Sequence, residues 1–310
     1  MTITLLDGGM GQELMRRSGC TPTTLWSVQA MLDHPELVEA IHADYFAAGA
    51  EIATTNSYAL HRDRLQGTGL EHRFEALHRV ALDAALRARD AHGSGRVAGS
   101  IGPLGQSYRA DVMPPHCEAV TLFAETARLL AADCELLLVE TVASLRHARA
   151  AMEGVAGQGV PVWIAFTVDD QDGTRLRSGE QLSDALRLCD DAEALLANCS
   201  VPEAMPAALG VLAASGKPTG AYANAFTAIT SAFLHKPTVD ALRARNDVGP
   251  RAYAEQVLRW VELGALIVGG CCETGPGHIA ELARRLQRGR TQRQPSALVD
   301  PVQPRQWAGG

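Results

Sequence analysis

Three cysteines directly follow short apolar runs of strand length, where a thiol is available for chemistry rather than for packing. Cys199 follows residues 194–198, and the pair Cys271-Cys272 follows residues 265–270. If the two strand ends are neighbours, three sulfurs converge, and thiolates are ligands that Zn²⁺ prefers. Three protein ligands leave the fourth tetrahedral position open for a reactant, whereas a structural site normally closes with a fourth Cys or His. Since Cys271 and Cys272 have no CxxC partner nearby, the pattern favours an open, catalytic Zn²⁺ site.

The other four cysteines carry no comparable signal. Seven cysteines in 310 residues do not form the dense framework of a secreted disulfide protein. Cys134 and Cys189 lie in apolar helical stretches and are predicted to be small core residues. Cys20 and Cys117 have polar surroundings, and the sequence assigns neither of them a role.

The composition excludes several classes of protein. The formal net charge is −7 and no run of Lys or Arg occurs, which argues against nucleic acid or an anionic membrane as partner. No apolar run approaches the ~20 residues needed to span a bilayer, and the first residues lack the pattern of a signal peptide. We therefore expect a cytoplasmic protein that acts on small molecules, with no prediction of its oligomeric state.

Strand-like and helix-like segments alternate along the chain. Eight short apolar runs are predicted strands, namely residues 3–6, 52–55, 96–99, 136–139, 162–167, 194–197, 218–222 and 265–268. The segments between them have apolar residues three and four positions apart, which is typical of amphipathic helices. These predicted helices are residues 35–48, 71–91, 118–132, 144–155, 181–190, 202–214, 251–263 and 277–287.

This alternation predicts the fold and the domain organisation. Strands that alternate with helices indicate a parallel sheet, and eight such units predict an α/β fold of the (β/α)₈ (TIM) barrel type. The predicted barrel spans residues 1–288. Residues 289–310 are rich in Gln, Pro and Arg without a period, and we expect them to form a flexible tail.

In such barrels the reacting groups come from the carboxyl ends of the strands and from the loops that follow them. The strand ends of this chain are polar, small or thiol-bearing. They include Asp7-Gly8-Gly9, Tyr58, Glu140, Asn198-Cys199, Asn224 and Cys271-Cys272. Strand ends are often polar simply because they leave the core, which explains any single residue but not three thiols. The sequence therefore predicts a zinc site at the C-terminal face of the barrel.

Several of these strand-end motifs resemble those of the homocysteine S-methyltransferase family. The motifs are LLDGGMGQEL, TNSY, GSIGP, VET, NCS and GGCCETGPGHI, and the resemblance runs from about residue 3 to about residue 286. The most specific part is the GGCC strand end combined with a distant NC strand end. The resemblance implies a (β/α)₈ barrel with catalytic zinc, in agreement with the fold and site expected from the residues. It also implies methyl transfer to the thiolate of homocysteine, giving methionine.

The resemblance also implies roles for individual residues. Cys199, Cys271 and Cys272 match the family's zinc ligands. The residues that match contacts to homocysteine or lie near the metal are Asp7, Gly8, Gly9, Glu140 and Asn224. Glu140 matches the acid that pairs with the substrate ammonium, although an acid at a strand end could instead cap a helix or pair with an Arg. Asp7 could instead be an Asx-turn residue.

The methyl donor is a separate question. A sulfonium or a quaternary ammonium leaves as a neutral molecule and needs no further activating domain, and aromatic faces hold such cations. Aromatic residues in or near loops of the predicted active face are candidate donor contacts, namely Trp26, Tyr58, Tyr108, Phe166 and Phe226. The LLDGGMGQEL…LWS opening and the His116-Cys117 segment look closer to the S-methylmethionine-using branch of the family. We therefore expect S-methylmethionine first and S-adenosylmethionine second, with betaine as the alternative.

Two other classes of function remain open from the residues alone. A barrel lyase or aldolase could use a metal as Lewis acid on a carbonyl, although such sites usually prefer His and carboxylate ligands. A non-enzymatic protein could use Cys271-Cys272 as a zinc-responsive or redox-responsive sensor. Formation of methionine from homocysteine separates all three hypotheses.

Overall fold

Eight short parallel strands form one closed sheet. They are β1 (Thr4–Leu5), β2 (Ile52–Thr54), β3 (Arg96–Ile101), β4 (Leu136–Val142), β5 (Val162–Phe166), β6 (Ala194–Asn198), β7 (Thr219–Tyr222) and β8 (Ile267–Val268). Successive strands from β2 to β8 pair in parallel, and β8 also pairs in parallel with β1. A parallel bridge between Leu6 and Ile52 joins the two ends of the sheet. The predicted (β/α)₈ barrel is therefore confirmed.

Helices connect the strands on the outside of the barrel. They are α1 (Met10–Ser18), α2 (Ser27–Asp33), α3 (Pro35–Ala47), α4 (Arg62–Leu65), α5 (Phe74–His92), α6 (His116–Ala131), α7 (Leu145–Val155), α8 (Met205–Leu212), α9 (Pro250–Glu262) and α10 (Pro276–Arg293). This computed structural model describes residues 2–19, 27–229, 234 and 242–293, with side chains up to residue 288. Among these residues no helix is long and apolar enough to cross a bilayer.

Two apolar layers on either side of the sheet hold the barrel together. In β4, Leu136 and Leu138 belong to the cluster that fills the barrel interior, together with Trp163 and Leu196 of neighbouring strands. Leu137, between them, belongs to the large cluster that the outer helices cover. Successive side chains of a strand point to opposite faces, and both faces are buried here, which explains why these strands are continuous apolar runs.

The structure differs from the sequence prediction in a few elements. The segment predicted as a helix over 181–190 is a 3₁₀ helix, Leu182–Cys189. Its buried residues keep the predicted three- and four-residue spacing, but Ser183 and Asp184 are poor helix formers in its first turn. The helices α1 and α2 were not predicted. The last helix continues to Arg293, past the expected domain boundary at 288, and residues 294–310 lie outside the described part of the chain.

Candidate active site

The three predicted metal ligands meet at the C-terminal end of the barrel. Cys199 directly follows β6, and the pair Cys271-Cys272 follows β8 after two glycines. The Cys199 sulfur lies 2.8 Å from the Cys271 sulfur and 3.7 Å from the Cys272 sulfur. All three sulfur atoms lie within 4.8 Å of one another, with no fourth His, Cys, Asp or Glu in the group among the described residues. The structure thus brings together the thiols that the sequence selected.

The spacing of these sulfurs suits one tetrahedral metal ion. Zn–S bonds of ~2.3 Å place two sulfurs of a tetrahedral site about 3.8 Å apart, close to the 3.7 Å between Cys199 and Cys272. The 2.8 Å pair, Cys199 and Cys271, needs to open by about 1 Å to reach that separation. Thiolates are soft ligands that suit zinc. The donor set therefore fits a metal site with three protein ligands and one open position.

The loop after β7 fixes the backbone of the cysteines. The Asn224 side-chain amide donates to the Cys199 carbonyl at 2.8 Å. The Ala223 carbonyl accepts from the Cys271 N–H at 3.0 Å, and the Ala225 N–H donates to the Cys272 carbonyl at 3.0 Å. Cys199 has a positive φ of 50°, a conformation that non-glycine residues adopt at a cost. These bonds therefore hold Cys199 in a strained geometry that directs its thiol to the other two.

Asn224 has a structural contact rather than a cavity contact. Its side chain is buried, and its amide oxygen accepts from the Phe226 N–H at 3.1 Å. Both ends of the amide thus bind backbone groups, and Asn224 is not among the described residues that line the cavity. The structure therefore places Asn224 against the backbone of Cys199, one of the predicted ligands. Its predicted role near the metal stays a prediction.

Hydrogen bonds make Cys199 the first thiol of the cluster to lose its proton. The Cys271 thiol donates to the Cys199 sulfur, and the contacts with Cys271 and Cys272 hold the pKa of Cys199 well below its usual value. Tyr108 adds a hydroxyl contact at 3.0 Å. The same contacts, together with burial, raise the pKa of Cys271 and Cys272 above their usual value. One thiolate stabilised by its neighbours is a suitable starting point for metal binding, which requires deprotonated sulfur.

A cavity adjoins the three cysteines, with roughly 930 Å³ of empty space when its opening to solvent is included. The predicted site residues that line it are Asp7, Gly8, Gly9, Tyr58, Tyr108, Glu140, Cys199, Cys271 and Cys272. The sequence did not select several others that also line it, namely Met10, Gly11, Gln12, Thr54, Arg64, Ser100, Ser107 and Tyr222. Three thiols, two acids and several polar side chains therefore line the same cavity.

Asp7 is a buried acid at the end of β1. Its carboxylate accepts from the Thr54 N–H at 2.7 Å and contacts the Thr54 hydroxyl at 3.0 Å. Burial raises the pKa of Asp7 to about 8, against the opposing effect of these hydrogen bonds. Asp7 therefore binds Thr54 of the neighbouring strand β2, and its contacts are not limited to those of an Asx-turn.

Glu140 is the second buried acid, in β4. Ser100 donates a short hydrogen bond to one carboxylate oxygen, and the Tyr222 hydroxyl donates to the other at 3.1 Å. Burial raises the pKa of Glu140 to about 7. Glu140 neither caps a helix nor pairs with an arginine among the described residues. Two acids with raised pKa values in one cavity favour a ligand that carries a positive charge, because such a ligand would restore their ionised forms.

The glycine pair after Asp7 allows close approach of two loops. A Cβ on Gly8 would lie 2.3 Å from the Thr274 carbonyl oxygen, and one on Gly9 would lie 2.8 Å from the Cys271 carbonyl oxygen. The Gly9 N–H already donates to the Thr274 carbonyl at 2.8 Å. Gly8 and Gly9 are predicted substrate contacts, and because the Gly9 N–H is engaged by this carbonyl, it is not free to meet a substrate carboxylate.

The N-terminus of α1 offers an alternative place for a carboxylate. Gly9 precedes α1 without a side-chain cap, and the first-turn residues Met10, Gly11 and Gln12 line the cavity. First-turn N–H groups lack intrahelical partners and carry positive partial charge. The Gln12 side-chain nitrogen is also buried without a hydrogen-bond partner among the described residues. Sequence reasoning missed this helix because its start, Gly8–Gly11, resembled a loop.

The predicted aromatic donor contacts fall into three groups. Tyr58 and Tyr108 line the cavity. Phe226 is buried in a cluster with Tyr108 and Cys199 but does not line the cavity. Phe166 is buried in β5 among the residues that the outer helices cover, which leaves it without cavity contact. Trp26 lies outside the described residues.

The remaining cysteines follow the sequence prediction. Cys134 and Cys189 are buried, which confirms their prediction as core residues. Cys117 is an exposed free cysteine of α6, and Cys20 lies outside the described residues.

The barrel and its strand-end motifs have counterparts among known proteins. A family model described as homocysteine S-methyltransferase matches residues 4–286. A homocysteine S-methyltransferase of Escherichia coli (strain K12) is 32% identical over 309 residues, which cover 91% of this chain and 95% of that protein. Homocysteine S-methyltransferase YbgG of Bacillus subtilis (strain 168) is 28% identical, covering 90% and 93%. The crystal structure of the metallated form of homocysteine methyltransferase MmuM from E. coli matches with a TM-score of 0.77 at 30% identity, covering 92% of this chain and 96% of that one.

Proposed function

The chain belongs to the homocysteine S-methyltransferase family, as its motifs predicted, and we propose that it transfers a methyl group from a sulfonium donor to homocysteine. The observation that carries this proposal is the cluster of three cysteine sulfurs, within 4.8 Å of one another, beside a cavity that contains two buried acids. The lyase and the sensor hypotheses do not account for this combination together with family membership.

We propose Zn²⁺ as the metal, held by Cys199, Cys271 and Cys272. Bound zinc would lower the pKa of a homocysteine thiol enough to give a thiolate at neutral pH without a separate base. The strained Cys199 backbone and the bonds from residues 223–225 would keep the three sulfurs in place. Because one tetrahedral position remains, only one substrate sulfur can be accommodated there.

The amino-acid end of homocysteine fits the acids and the start of α1. Asp7 and Glu140 are the acids among the described residues that line the cavity, and we propose that Glu140 accepts from the substrate ammonium. We propose that the carboxylate binds at the first turn of α1, with the Gln12 amide as a further donor. A Cβ on Gly9 would touch the Cys271 carbonyl, so α1 begins beside the metal ligands. A short amino acid can therefore reach from α1 to the cysteine cluster.

The proposed reaction is a direct displacement at carbon. The homocysteine sulfur, having given its proton to solvent, attacks the methyl carbon of the donor with its lone pair. The bond between that methyl group and the sulfonium sulfur breaks, and its electron pair stays on the departing sulfur. A sulfonium therefore leaves as a neutral thioether, and homocysteine becomes methionine. The cavity walls contribute by holding the two sulfurs in line with the methyl carbon, because such positioning supplies a large part of the rate of a two-substrate reaction.

Among donors we propose S-methylmethionine first and S-adenosylmethionine second, with betaine as the alternative. The rings of Tyr58 and Tyr108 line the cavity, and aromatic faces attract a sulfonium or quaternary ammonium. We also propose a cytoplasmic location, because metal-binding thiols need the reducing environment of that compartment.

A donor panel tests the proposed function. The zinc-loaded protein is mixed with homocysteine and either S-methylmethionine, S-adenosylmethionine or betaine, and methionine is quantified by mass spectrometry. We expect turnover with S-methylmethionine and little or none with betaine. Turnover with betaine and with neither sulfonium would overturn the choice of donor, and no methionine from any of the three would overturn the function.

A further inference from the structure

The cavity contains a partly buried arginine that the mechanism above does not use. Arg64 lines the cavity from the short helix α4. Its guanidinium lies 5.5 Å from the centre of the Tyr58 ring, and one nitrogen donates to the Ser107 hydroxyl at 3.3 Å. The Ser107 hydroxyl in turn contacts the Tyr58 hydroxyl at 2.8 Å. Arg64, Tyr58 and Ser107 thus form one connected wall of the cavity.

In the described part of the chain no carboxylate forms an ion pair with this guanidinium, although the neighbouring Asp63 favours its charged form through space. Other arginines do form ion pairs, for example Arg62, on the same short helix, with Glu125. The described residues provide no salt bridge to Arg64, and its Nε is buried without a hydrogen-bond partner. Burial lowers the pKa of Arg64 below its usual value. A partly buried cation without an ion pair and with an unsatisfied Nε is costly, and a ligand with a negative group would reduce that cost.

We propose that Arg64 binds the carboxylate of the methyl donor, so that the enzyme selects sulfonium donors that carry a carboxylate. This inference rests on the proposed function, since it assigns Arg64 to the second substrate of that reaction. Arginine presents planar pairs of N–H donors that match a carboxylate. Arg64 is therefore a specificity-determining residue for the donor.

The position of Arg64 separates it from the proposed homocysteine contacts. The acid Asp7 and the start of α1 are consecutive in sequence, and a Cβ on Gly9 would touch Cys271. The start of α1, where we propose that the homocysteine carboxylate binds, therefore lies beside the cysteine cluster. Arg64 lies on a different segment, on the wall with Tyr58 and Ser107. The adjacent residue of that wall, Tyr108, contacts the Cys199 sulfur at 3.0 Å, so a donor on this wall has its sulfonium near the metal ligands.

The charges of the cavity also match two amino-acid substrates. Asp7 and Glu140 are two acids for two ammonium groups, while α1 and Arg64 are two places for carboxylates. Homocysteine and S-methylmethionine each carry one ammonium and one carboxylate. Betaine has a carboxylate but no N–H group, so it would leave one acid without a hydrogen-bond donor.

The test compares two donors that differ only in the carboxylate. S-methylmethionine and its α-carboxamide have the same sulfonium and the same ammonium. For the wild-type enzyme we expect kcat/KM to be about 10- to 100-fold higher for the carboxylate form, the usual effect of a hydrogen bond to a charged group. In Arg64→Gln this preference should fall to about one, with KM rising for S-methylmethionine and the homocysteine KM unchanged. Arg64→Lys, which keeps the charge but not the paired donors, should retain part of the preference.

Two controls separate this role from a structural one. Arg62→Gln alters an exposed arginine of the same short helix and should leave the donor preference unchanged. The dissociation constant of S-methylmethionine is also measured by calorimetry for each variant, which gives a result even if no methyl transfer occurs.

Each outcome is decisive. Equal use of the two donors by the wild type, or an unchanged preference in Arg64→Gln, would overturn the inference while leaving methyl transfer intact. A rise in the homocysteine KM alone would assign Arg64 to the acceptor and would equally overturn it. Tight binding of S-methylmethionine that depends on Arg64, without methyl transfer, would support the inference and contradict the proposed function. Absence of both binding and transfer would contradict both.

Discussion

The Tyr108 hydroxyl lies 3.0 Å from the sulfur of Cys199. Tyr108 also lines the cavity, and it has a positive φ of 64°, so its backbone adopts an uncommon conformation at this contact. Burial raises the pKa of Tyr108 well above its usual value, which keeps the hydroxyl protonated and able to donate. Tyr108 therefore stabilises a thiolate at Cys199.

Replacing Tyr108 by Phe should weaken metal binding at neutral pH. The ring is retained, but the hydrogen bond to the Cys199 sulfur is lost, which raises the pKa of that thiol. We expect about a tenfold loss of Zn²⁺ affinity at pH 7, in line with the value of a hydrogen bond to a charged group, and a smaller loss at pH 9, where thiols ionise more readily. Competition with a chelator measures both. Tyr58→Phe is the matched control, since that hydroxyl contacts Ser107, and equal affinities for Tyr108→Phe and wild type would contradict this role.

Replacing any one of Cys199, Cys271 and Cys272 by Ser should reduce zinc content and methyl transfer together. A hydroxyl is a poor ligand for this ion, and the described residues provide no fourth ligand in the cluster to compensate. We expect about one zinc per chain in the wild type by elemental analysis and a substoichiometric amount in each variant. Cys117→Ser changes an exposed cysteine and should retain both. Full activity in a metal-free triple variant would be incompatible with the proposed mechanism.

Methionine binding should strengthen as the pH rises, through Glu140. The pKa of Glu140 is raised to about 7 in the free protein, so the carboxylate that pairs with the ligand ammonium is mostly protonated at pH 6 and mostly ionised at pH 8. A single group of this kind predicts about a tenfold gain in affinity over that range. Methionine is the useful ligand because its sulfur carries no proton, which removes the titration of a substrate thiol from the measurement.

The variant Glu140→Gln distinguishes this account from a general effect of pH. It keeps the shape of the side chain but removes the charge, so the pH dependence should largely disappear and the homocysteine KM should rise about 10- to 100-fold. Zinc content should not change. If Glu140→Gln retains the wild-type homocysteine KM, Glu140 does not bind the ammonium.

Gly8→Ala should destabilise the protein, whereas Gly210→Ala should not. A Cβ on Gly8 would lie 2.3 Å from the Thr274 carbonyl oxygen, and such overpacking costs about 1–3 kcal/mol. Gly210 is an exposed residue of α8 with nothing within 4 Å of a Cβ, and Ala there should add about 0.5–1 kcal/mol. Urea denaturation measures both free energies of unfolding. Equal stabilities of Gly8→Ala and the wild type would show that the approach of these two loops is not constrained.

The sequence predicted the barrel because the periodicity of its segments is strong. Apolar runs such as residues 136–139 in β4 are buried on both faces, so they have no polar interruptions and are easily distinguished from the amphipathic helices. The three cysteines were equally visible, because each follows such a run. Parallel strands all end at the same rim of the barrel, so positions at strand ends could be placed near one another without coordinates.

Other parts of the site could not be predicted because their roles depend on contacts between distant segments. Arg64 lies in the charged run 61–64, which has the composition of an exposed helix, and only the fold brings it to the cavity. Phe166 was predicted as a donor contact because it lies near a loop of the predicted active face, but the alternation of side chains directs it outward to the helices. The engagement of the Gly9 N–H by Thr274 joins residues more than 260 positions apart in the chain, which no local pattern reveals.

The most direct test of the central claim follows the carbon skeleton of the acceptor. Zinc-loaded protein is incubated with homocysteine labelled with ¹³C at all four carbons and with unlabelled S-methylmethionine, and the methionine is analysed by mass spectrometry. Because demethylated S-methylmethionine is itself methionine, only the labelled skeleton reports methyl transfer to the acceptor. We predict labelled and unlabelled methionine in equal amounts, with neither formed by the triple variant of Cys199, Cys271 and Cys272. Unlabelled methionine without the labelled form, or labelled methionine from the triple variant, would contradict transfer of the methyl group to homocysteine at this site.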